Sequence, residues 1–444
     1  MLRRFFNMVL LTAAANCVAV SAVLYITPGL EAIYCAAAAV ALILVSLFPD
    51  RADNPAYRLR ALRRGHELIL LFIGSFTLNL SANIALGVLF VPDPVKWWVL
   101  VINVVIGLFT ELVLLLAGLS RVFLTSLQLG IKWRVLLFFF WWVPVVNFIL
   151  LAKACRLLRN EYAFENAKNE LNETRQESEI CRTRYPLLLV HGVFFRDFRY
   201  FSYWGRIPKE LKKNGAEVYL GEQQSASSVK ASARELAARI EQLVRETGCG
   251  KVNIIAHSKG GLDARYAVSR LGAYQYVASL TTVNTPHRGC VFADRLLDKS
   301  SDKLKSSIAR NYNAALKRLG DPNPDFIAAV SDLTASSCRQ FNEEAPDKAG
   351  VRYLSVASRM NSWTGGKFPL NLSHLLVSPY DGENDGLVSV ESARWGEACR
   401  LVLPSGKRGI SHGDMIDLNR ENIDGFDVRE FYVDMVRGLK ALGV

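Results

Sequence analysis

Five times before residue 153 the chain runs apolar for about the length that crosses a bilayer, and this sets the first bound on its fold. A hydrocarbon core of about 30 Å takes roughly 20 residues of helix at 1.5 Å rise each. The runs are Phe5–Ile26, Leu30–Phe48, Leu68–Val91, Trp97–Leu119 and Val135–Ala152. A cleaved leader starting at Arg3 and Arg4 would account for the first run alone, so residues 1–152 read as a transmembrane helical domain of four to five spans. Charge agrees: of the net +12, residues 1–160 hold an excess of eight positive charges and the rest of the chain four. Basic residues gathered beside apolar runs are a membrane-protein pattern, and no nucleic-acid partner is expected. With 51% hydrophobic residues the chain is not disordered, and eight Cys in 444 residues are too sparse for a disulfide scaffold.

Arg51, Arg58, Arg60, Arg63 and Arg64, with Arg3 and Arg4, put the second loop and the N-terminus on the cytoplasmic side. The fifth run has basic residues on both flanks. If it spans, the following domain is extracytoplasmic; if it re-enters at Pro144, that domain stays inside. Cysteines without paired spacing favour the reducing, cytoplasmic face. Glu111 in the fourth run, with Asn79 and Asn83 in the third, reads as packing glue between helices in preference to an ion path.

Residues 153–184 are polar and read as a stalk or linker helix, and residues 185–444 as a catalytic domain. After Pro186, apolar strands alternate with amphipathic segments: strands at Leu187–Val190, Glu217–Leu220, Lys251–Ala256 and Tyr276–Val283, helices at Ser228–Thr247 and from Gly260 to about Leu271. That alternation predicts an α/β fold with a mostly parallel sheet and helices on both faces.

Val252–Ile255 runs into Ala256–His257–Ser258–Lys259–Gly260, a strand-to-helix turn with small residues on either side of a Ser. Such an elbow lifts a serine hydroxyl above the sheet as a nucleophile. An oxyanion hole needs two backbone amides. Lys259, following the Ser, supplies one, and Val193, after the strand and His191–Gly192, supplies the other. A base and an orienting acid must follow. Of six His, four lie in the membrane loop or in motifs already placed, leaving His412, in a loop after the strand Cys399–Leu403, and His374, which precedes an expected strand. His412 is the candidate base. Asp385, in the turn Glu383–Val388, is the leading acid, with Asp381 as the alternative.

The segments LLLVHGV, IIAHSKGGLDARY, TTVNTPHRG, Asp332–Thr334 before Phe341–Asn342, and ENDGLV followed by SHGDM resemble, in that order, the α/β-hydrolase lipases of the bacterial true-lipase family. This group includes the Pseudomonas and Burkholderia triacylglycerol lipases. The resemblance runs from about Tyr185 to the C-terminus and covers none of the membrane part. By position it implies Ser258 as nucleophile, Asp385 as acid, His412 as base and Val193 and Lys259 as oxyanion donors. Members of the family bind a structural calcium through two Asp near the catalytic His. Asp414 matches one ligand, but no acidic residue lies between Asp347 and Asp381, where the other should be. No cofactor is otherwise expected. Lys259 also stands where the family usually has His.

The helical insertion at 291–343 falls where such lipases carry a lid; by periodicity alone it is a pair of packed helices. The aromatic segment Phe194–Trp204 reads equally as an acyl pocket or as core. Together these features imply a membrane-tethered serine hydrolase cleaving carboxylic esters of lipids through an acyl-enzyme, with an acyl-ester substrate and the bilayer as its partners. Two other readings use the same residues: a lipid-remodelling acyltransferase or phospholipase on the same triad, and a non-catalytic lipid- or partner-binding module.

Overall fold

The computed structural model describes residues 2–49, 56–90, 94–193, 202–299, 310–314, 317, 324–403 and 406–444. The chain divides into two compact units, Met1–Leu171 and Asn172–Val444.

The first unit is helical. Its described elements are α1 (Leu2–Ala15), α2 (Cys17–Val23), α3 (Pro28–Leu47), α4 (Tyr57–Phe90), α5 (Pro94–Thr125), α6 (Ile131–Phe139) and the start of α7 (Pro144–Arg175). Three helices, Gly29–Leu47, Tyr57–Val88 and Trp97–Thr125, are long and apolar enough to cross a membrane. The first apolar run is not one straight helix, because α1 and α2 meet at 69°. At the bend the Asn16 amide donates to the Thr12 carbonyl and to Asn79 Oδ1, both at 2.8 Å, and a side chain that bonds nearby backbone competes with the helix ladder. Asn103 donates to Asn16 (2.7 Å) and to Asn83 (2.9 Å), so four asparagines from three apolar runs share one network. Glu111 accepts from Ser75 at 2.9 Å. The fifth apolar run is also divided. It breaks between Phe139 and Pro144, and α7 begins at the proline, whose missing N–H is harmless only in a first turn.

The second unit is built on a six-stranded sheet in the order β2-β1-β3-β4-β5-β6, with every pairing parallel. The strands are β1 (Leu187–Val190), β2 (Val218–Leu220), β3 (Val252–His257), β4 (Val277–Val283), β5 (Arg352–Ser358) and β6 (Ala398–Val402). Between them run α8 (Ile207–Lys213), α9 (Val229–Thr247), α10 (Lys259–Arg270), α11 (Val291–Lys299), α12 (Phe326–Ser331), α13 (Ala335–Glu344), α14 (Leu370–Asp381) and α15 (Val390–Ala393), with α16 (Val428–Ala441) last. Strands buried on both faces are largely apolar, and β1, β3 and β4 are buried at every position, with Asn253, His257, Ser279, Thr281 and Thr282 as their polar members. Successive residues serve opposite layers. Leu187, Leu189 and Ile255 pack with Trp204 and Tyr432 of one core, whereas Leu188, Val190 and Ile254 pack with Leu236 and Ile240 of α9. This is the α/β-hydrolase fold. The chain leaves β1 for the edge strand β2 and returns to β3 on the other side of β1, so the crevice at the carboxyl ends of β1 and β3 is where such sheets bind ligands.

Local chemistry sets the element ends. Ser228 caps α9 by accepting from the Ala231 amide at 3.3 Å, and Gly248 ends it at φ 68°. His374 lies inside α14, not before a strand as expected; the next strand, β6, begins only at Ala398. Within the insertion at 291–343, α11, α12 and α13 are helical, and residues 300–309, 315–316 and 318–323 lie outside the described residues.

Arg265 of α10 is buried among neutral acceptors. It donates to Asn342 Oδ1 (2.9 Å), the Ala345 carbonyl (3.1 Å) and His287 Nδ1 (3.2 Å), and its guanidinium lies 3.5 Å over the Trp395 ring. An Nδ1 that accepts leaves the His287 proton on Nε2, which faces Thr282 Oγ1 at 2.9 Å. Burial, with Arg265 and Arg288 nearby, holds this imidazole well below its ordinary pKa. The unfolded chain binds a proton there below about pH 6.5 and the folded chain does not, so stability falls as pH drops below that value. His287→Gln should flatten part of the acid-side decline in melting curves taken from about pH 8 to about pH 5.5; curves parallel to wild type would contradict a neutral His287.

Candidate active site

Ser258 stands alone between β3 and α10, at φ 56° and ψ −133°. A non-glycine residue held there stores strain of about 1–3 kcal/mol, which the surroundings must offset. They do so with fixed hydrogen bonds: its amide donates to the Val283 carbonyl at 3.0 Å, and its carbonyl accepts from Thr285 Oγ1 at 2.8 Å. The need for small residues is met where α10 passes the loop after β1. A Cβ on Gly260 would overlap the His191 carbonyl, and one on Gly192 would crowd Ser258 Cβ and Tyr203 Oη. The loop His191–Gly192–Val193 is thus pressed against the serine. His191 is itself structural, fully buried with Nε2 2.9 Å from the Gln223 carbonyl.

The Lys259 side chain turns inward. Its ammonium donates to Asp263 at 2.8 Å and to Ser232 of α9 at 2.9 Å, fully buried. Burial outweighs the attraction of Lys259 and pushes the Asp263 carboxyl up to about 7. A buried pair of this kind ties the first turn of α10 to α9 and fixes the Lys259 amide; it says little about stability by itself.

Asp385 is buried, and its two oxygens are differently engaged. Oδ1 accepts from the Leu387 (2.9 Å) and Val388 (2.8 Å) amides, and Oδ2 lies 2.7 Å from His412 Nδ1. The His412 amide also donates to the Asp385 carbonyl at 2.8 Å. The alternative acid, Asp381, accepts instead from the Val291 and Phe292 amides, capping α11. With Nδ1 bonded to Asp385, the other ring nitrogen of His412, Nε2, is not the one that Asp385 holds. No hydrogen bond joins Ser258 Oγ to His412. The ring of His257, the residue before the serine, packs against that of His412 with centroids 4.4 Å apart. Catalytic hydrogen bonds commonly tighten only when substrate is bound.

His257 and Tyr203 are the site residues that sequence reasoning missed. His257 is fully buried, its Nδ1 shares a hydrogen bond of 2.7 Å with Tyr203 Oη, and burial together with His412 keeps it well below its ordinary pKa, hence neutral. Of the aromatic segment Phe194–Trp204, residues 194–201 lie outside the described residues, and Tyr203 and Trp204 are core. Nothing in an aromatic run distinguishes lining from core until the fold places it.

Two arginines brace the loop that carries His412. Arg206 grips Asp417 with Nε and Nη2, each at 2.8 Å. Arg408 grips Asp414 at 2.7 and 3.1 Å and reaches Glu421 at 3.0 Å, while the Ser411 amide and hydroxyl donate to Asp414 at 2.8 and 2.7 Å. Calcium takes 6–8 oxygen ligands. Here a guanidinium covers the one carboxylate that the resemblance offers, and among the described residues no three His, Cys, Asp or Glu converge to hold a metal. The donor set does not fit the ion. Chelator should leave the melting midpoint unchanged, whereas Arg408→Gln should lower stability by about 1–3 kcal/mol, since it removes the counter-charge and two of the hydrogen bonds of a buried carboxylate. A chelator-induced drop would restore calcium.

A strained serine at an elbow, an Asp–His pair and a parallel sheet describe a hydrolase. A family model described as "Putative serine esterase (DUF676)" matches residues 206–314. A triacylglycerol lipase of Vibrio cholerae is 30% identical over 241 residues, covering 49% of this chain and 77% of that protein. A triacylglycerol lipase of Pseudomonas fragi is 28% identical over 294 residues, 59% of this chain and 98% of the relative. Among solved structures, the mature Bacillus licheniformis lipase BlEst2 overlaps 53% of this chain and 87% of its own, at 22% identity and a TM-score of 0.40. The chain belongs to the α/β-hydrolase lipase and esterase family, and it is a serine ester hydrolase.

Proposed function

We propose that the chain is a membrane-tethered lipase that cleaves carboxylic esters of lipids with Ser258, His412 and Asp385. The observation that carries this reading is the 2.7 Å contact between Asp385 and His412 Nδ1, beside the ring of the residue that precedes Ser258. In the proposed cycle His412 Nε2 takes the Ser258 proton as Oγ attacks the ester carbonyl. The oxyanion is held by the Val193 and Lys259 amides, the latter at the N-terminus of α10, where the helix dipole adds to the stabilisation. His412 then protonates the leaving alcohol, and water, deprotonated by His412, releases the acid from the acyl-serine. Asp385 keeps His412 in the required tautomer. The substrate class follows from the relatives named as triacylglycerol lipases and from three apolar helices in the same chain. A tether would hold the enzyme against bilayer-resident substrate.

The test is hydrolysis of short- and long-chain p-nitrophenyl esters by the detergent-solubilised protein. Ser258→Ala should abolish turnover, and Asp385→Asn should lower kcat by about 10⁴, as loss of the orienting acid does in serine hydrolases. A preference for long chains would mark a lipase. Equal rates in wild type and Ser258→Ala would overturn the assignment of the nucleophile. The tether is tested separately: the protein should stay in the membrane fraction after alkaline carbonate washing, and release into the supernatant would contradict it.

A further inference from the structure

Within the first unit, the N-terminus of α1, the end of the α3 segment, and faces of α4 and α7 enclose a cavity of about 320 Å³. Its wall carries four guanidinium groups, Arg3, Arg4, Arg63 and Arg159, and one carboxylate, Glu67. Both Glu67 oxygens are taken by Arg4, each at 2.6 Å. Arg63 lies over the Tyr162 ring and donates to its hydroxyl at 3.3 Å, which aligns its guanidinium along the wall, and Arg3 donates to the Phe48 carbonyl at 3.2 Å. The charged groups come from three parts of the chain far apart in sequence, residues 3–4, 63–67 and 159, so their convergence is a product of the fold.

Bringing four like charges to one hollow against a single carboxylate raises the energy of the empty site. Arg3 and Arg4 add to this, because cations at a helix N-terminus oppose its dipole. A bound anion would relieve both effects. Guanidinium forks suit the tetrahedral oxygens of a phosphate ester, to which they donate in pairs. The location selects among phosphates. The cavity sits where α1 and α4, both apolar beyond it, begin, and beside the end of α3; lipid headgroups lie at the ends of apolar helices, and basic pockets between such helices hold anionic headgroups.

We propose that this cavity binds the phosphate ester of an anionic lipid headgroup, at a site distinct from the serine. The site would seat the helical unit against acidic lipid whether or not the enzyme is turning over.

The test uses the full chain carrying Ser258→Ala in neutral detergent, so that lipid is not consumed and the outcome does not depend on the hydrolase reading. Binding of dioleoylphosphatidylglycerol, dioleoylphosphatidylcholine and inorganic phosphate is read by native mass spectrometry and by shift of the melting midpoint. Phosphatidylglycerol should bind and stabilise more than phosphatidylcholine. Arg63→Gln with Arg159→Gln should weaken that binding by about tenfold or more. Arg156→Gln, exposed on the same helix and outside the cavity, should leave it unchanged. The midpoint without lipid checks folding, and Arg159→Lys alone should keep most of the binding. Inorganic phosphate that stabilises as strongly and displaces the lipid would overturn the lipid source. Equal binding by wild-type and variant cavities, or equal binding of the two lipids, would overturn the site.

Discussion

Where the first turn of α10 crosses the loop after β1, backbone meets backbone with no room for a side chain, and the hydrolase unit is organised around that crossing. Strands β1 and β3 pair in parallel and end at the same level, so the loop from one and the helix from the other must share a narrow space. Gly260 lets them do so against the His191 carbonyl. The turn that results is strained at Ser258, and the neighbouring strand holds it: β4 supplies the Val283 carbonyl, and the residues after β4 supply Thr285. The link continues one strand further, where Asn284 donates to Ser358 Oγ at 2.8 Å and accepts from the Ser358 amide at 2.9 Å. Strain at one residue is thus distributed over the carboxyl ends of three strands.

The two units satisfy their buried polar groups by different means. Within its apolar runs the helical unit relies on neutral amides and hydroxyls, as in the network of Asn16, Asn79, Asn83 and Asn103, while its ion pairs, Arg4 with Glu67 and Arg58 with Glu161, lie outside those runs. The hydrolase unit buries ions. Lys259 with Asp263, Arg206 with Asp417 and Arg408 with Asp414 each attach a functional loop or helix start to its neighbour. Such pairs impose one geometry more than they add stability.

What is legible in the sequence follows from periodicity and from tight turns. Five of the six strands are legible as runs bounded by turn residues, whereas β5, which mixes Arg, Tyr and Ser with its apolar residues, is not; Ser258 is visible because an elbow allows so few residue types. The order of Ser258, Asp385 and His412 is also legible, with Asp385 ahead of Asp381 by its polar turn, but the reason is not: one carboxylate faces an imidazole and the other caps a helix. Two features escape for the same reason. The bend at Asn16 and the helical setting of His374 depend on local contacts, which a hydropathy run averages away, whereas the break before Pro144 is one of the two alternatives that the proline itself suggests. His257 is hidden in another way, since a buried neutral imidazole tilted against a second one looks in sequence like any motif residue.

Arg408 gives the His412 loop a positive charge that is part of the polypeptide. A diffusible ion in the same place would have to be captured after folding, would exchange with the medium, and would tie the order of the loop to the composition of the compartment. A guanidinium on a neighbouring residue has no dissociation step; its supply is guaranteed at translation and its stoichiometry is always one. The loop that presents His412 therefore carries its own counter-charge wherever the chain is delivered, and a change in that arrangement can come only through mutation.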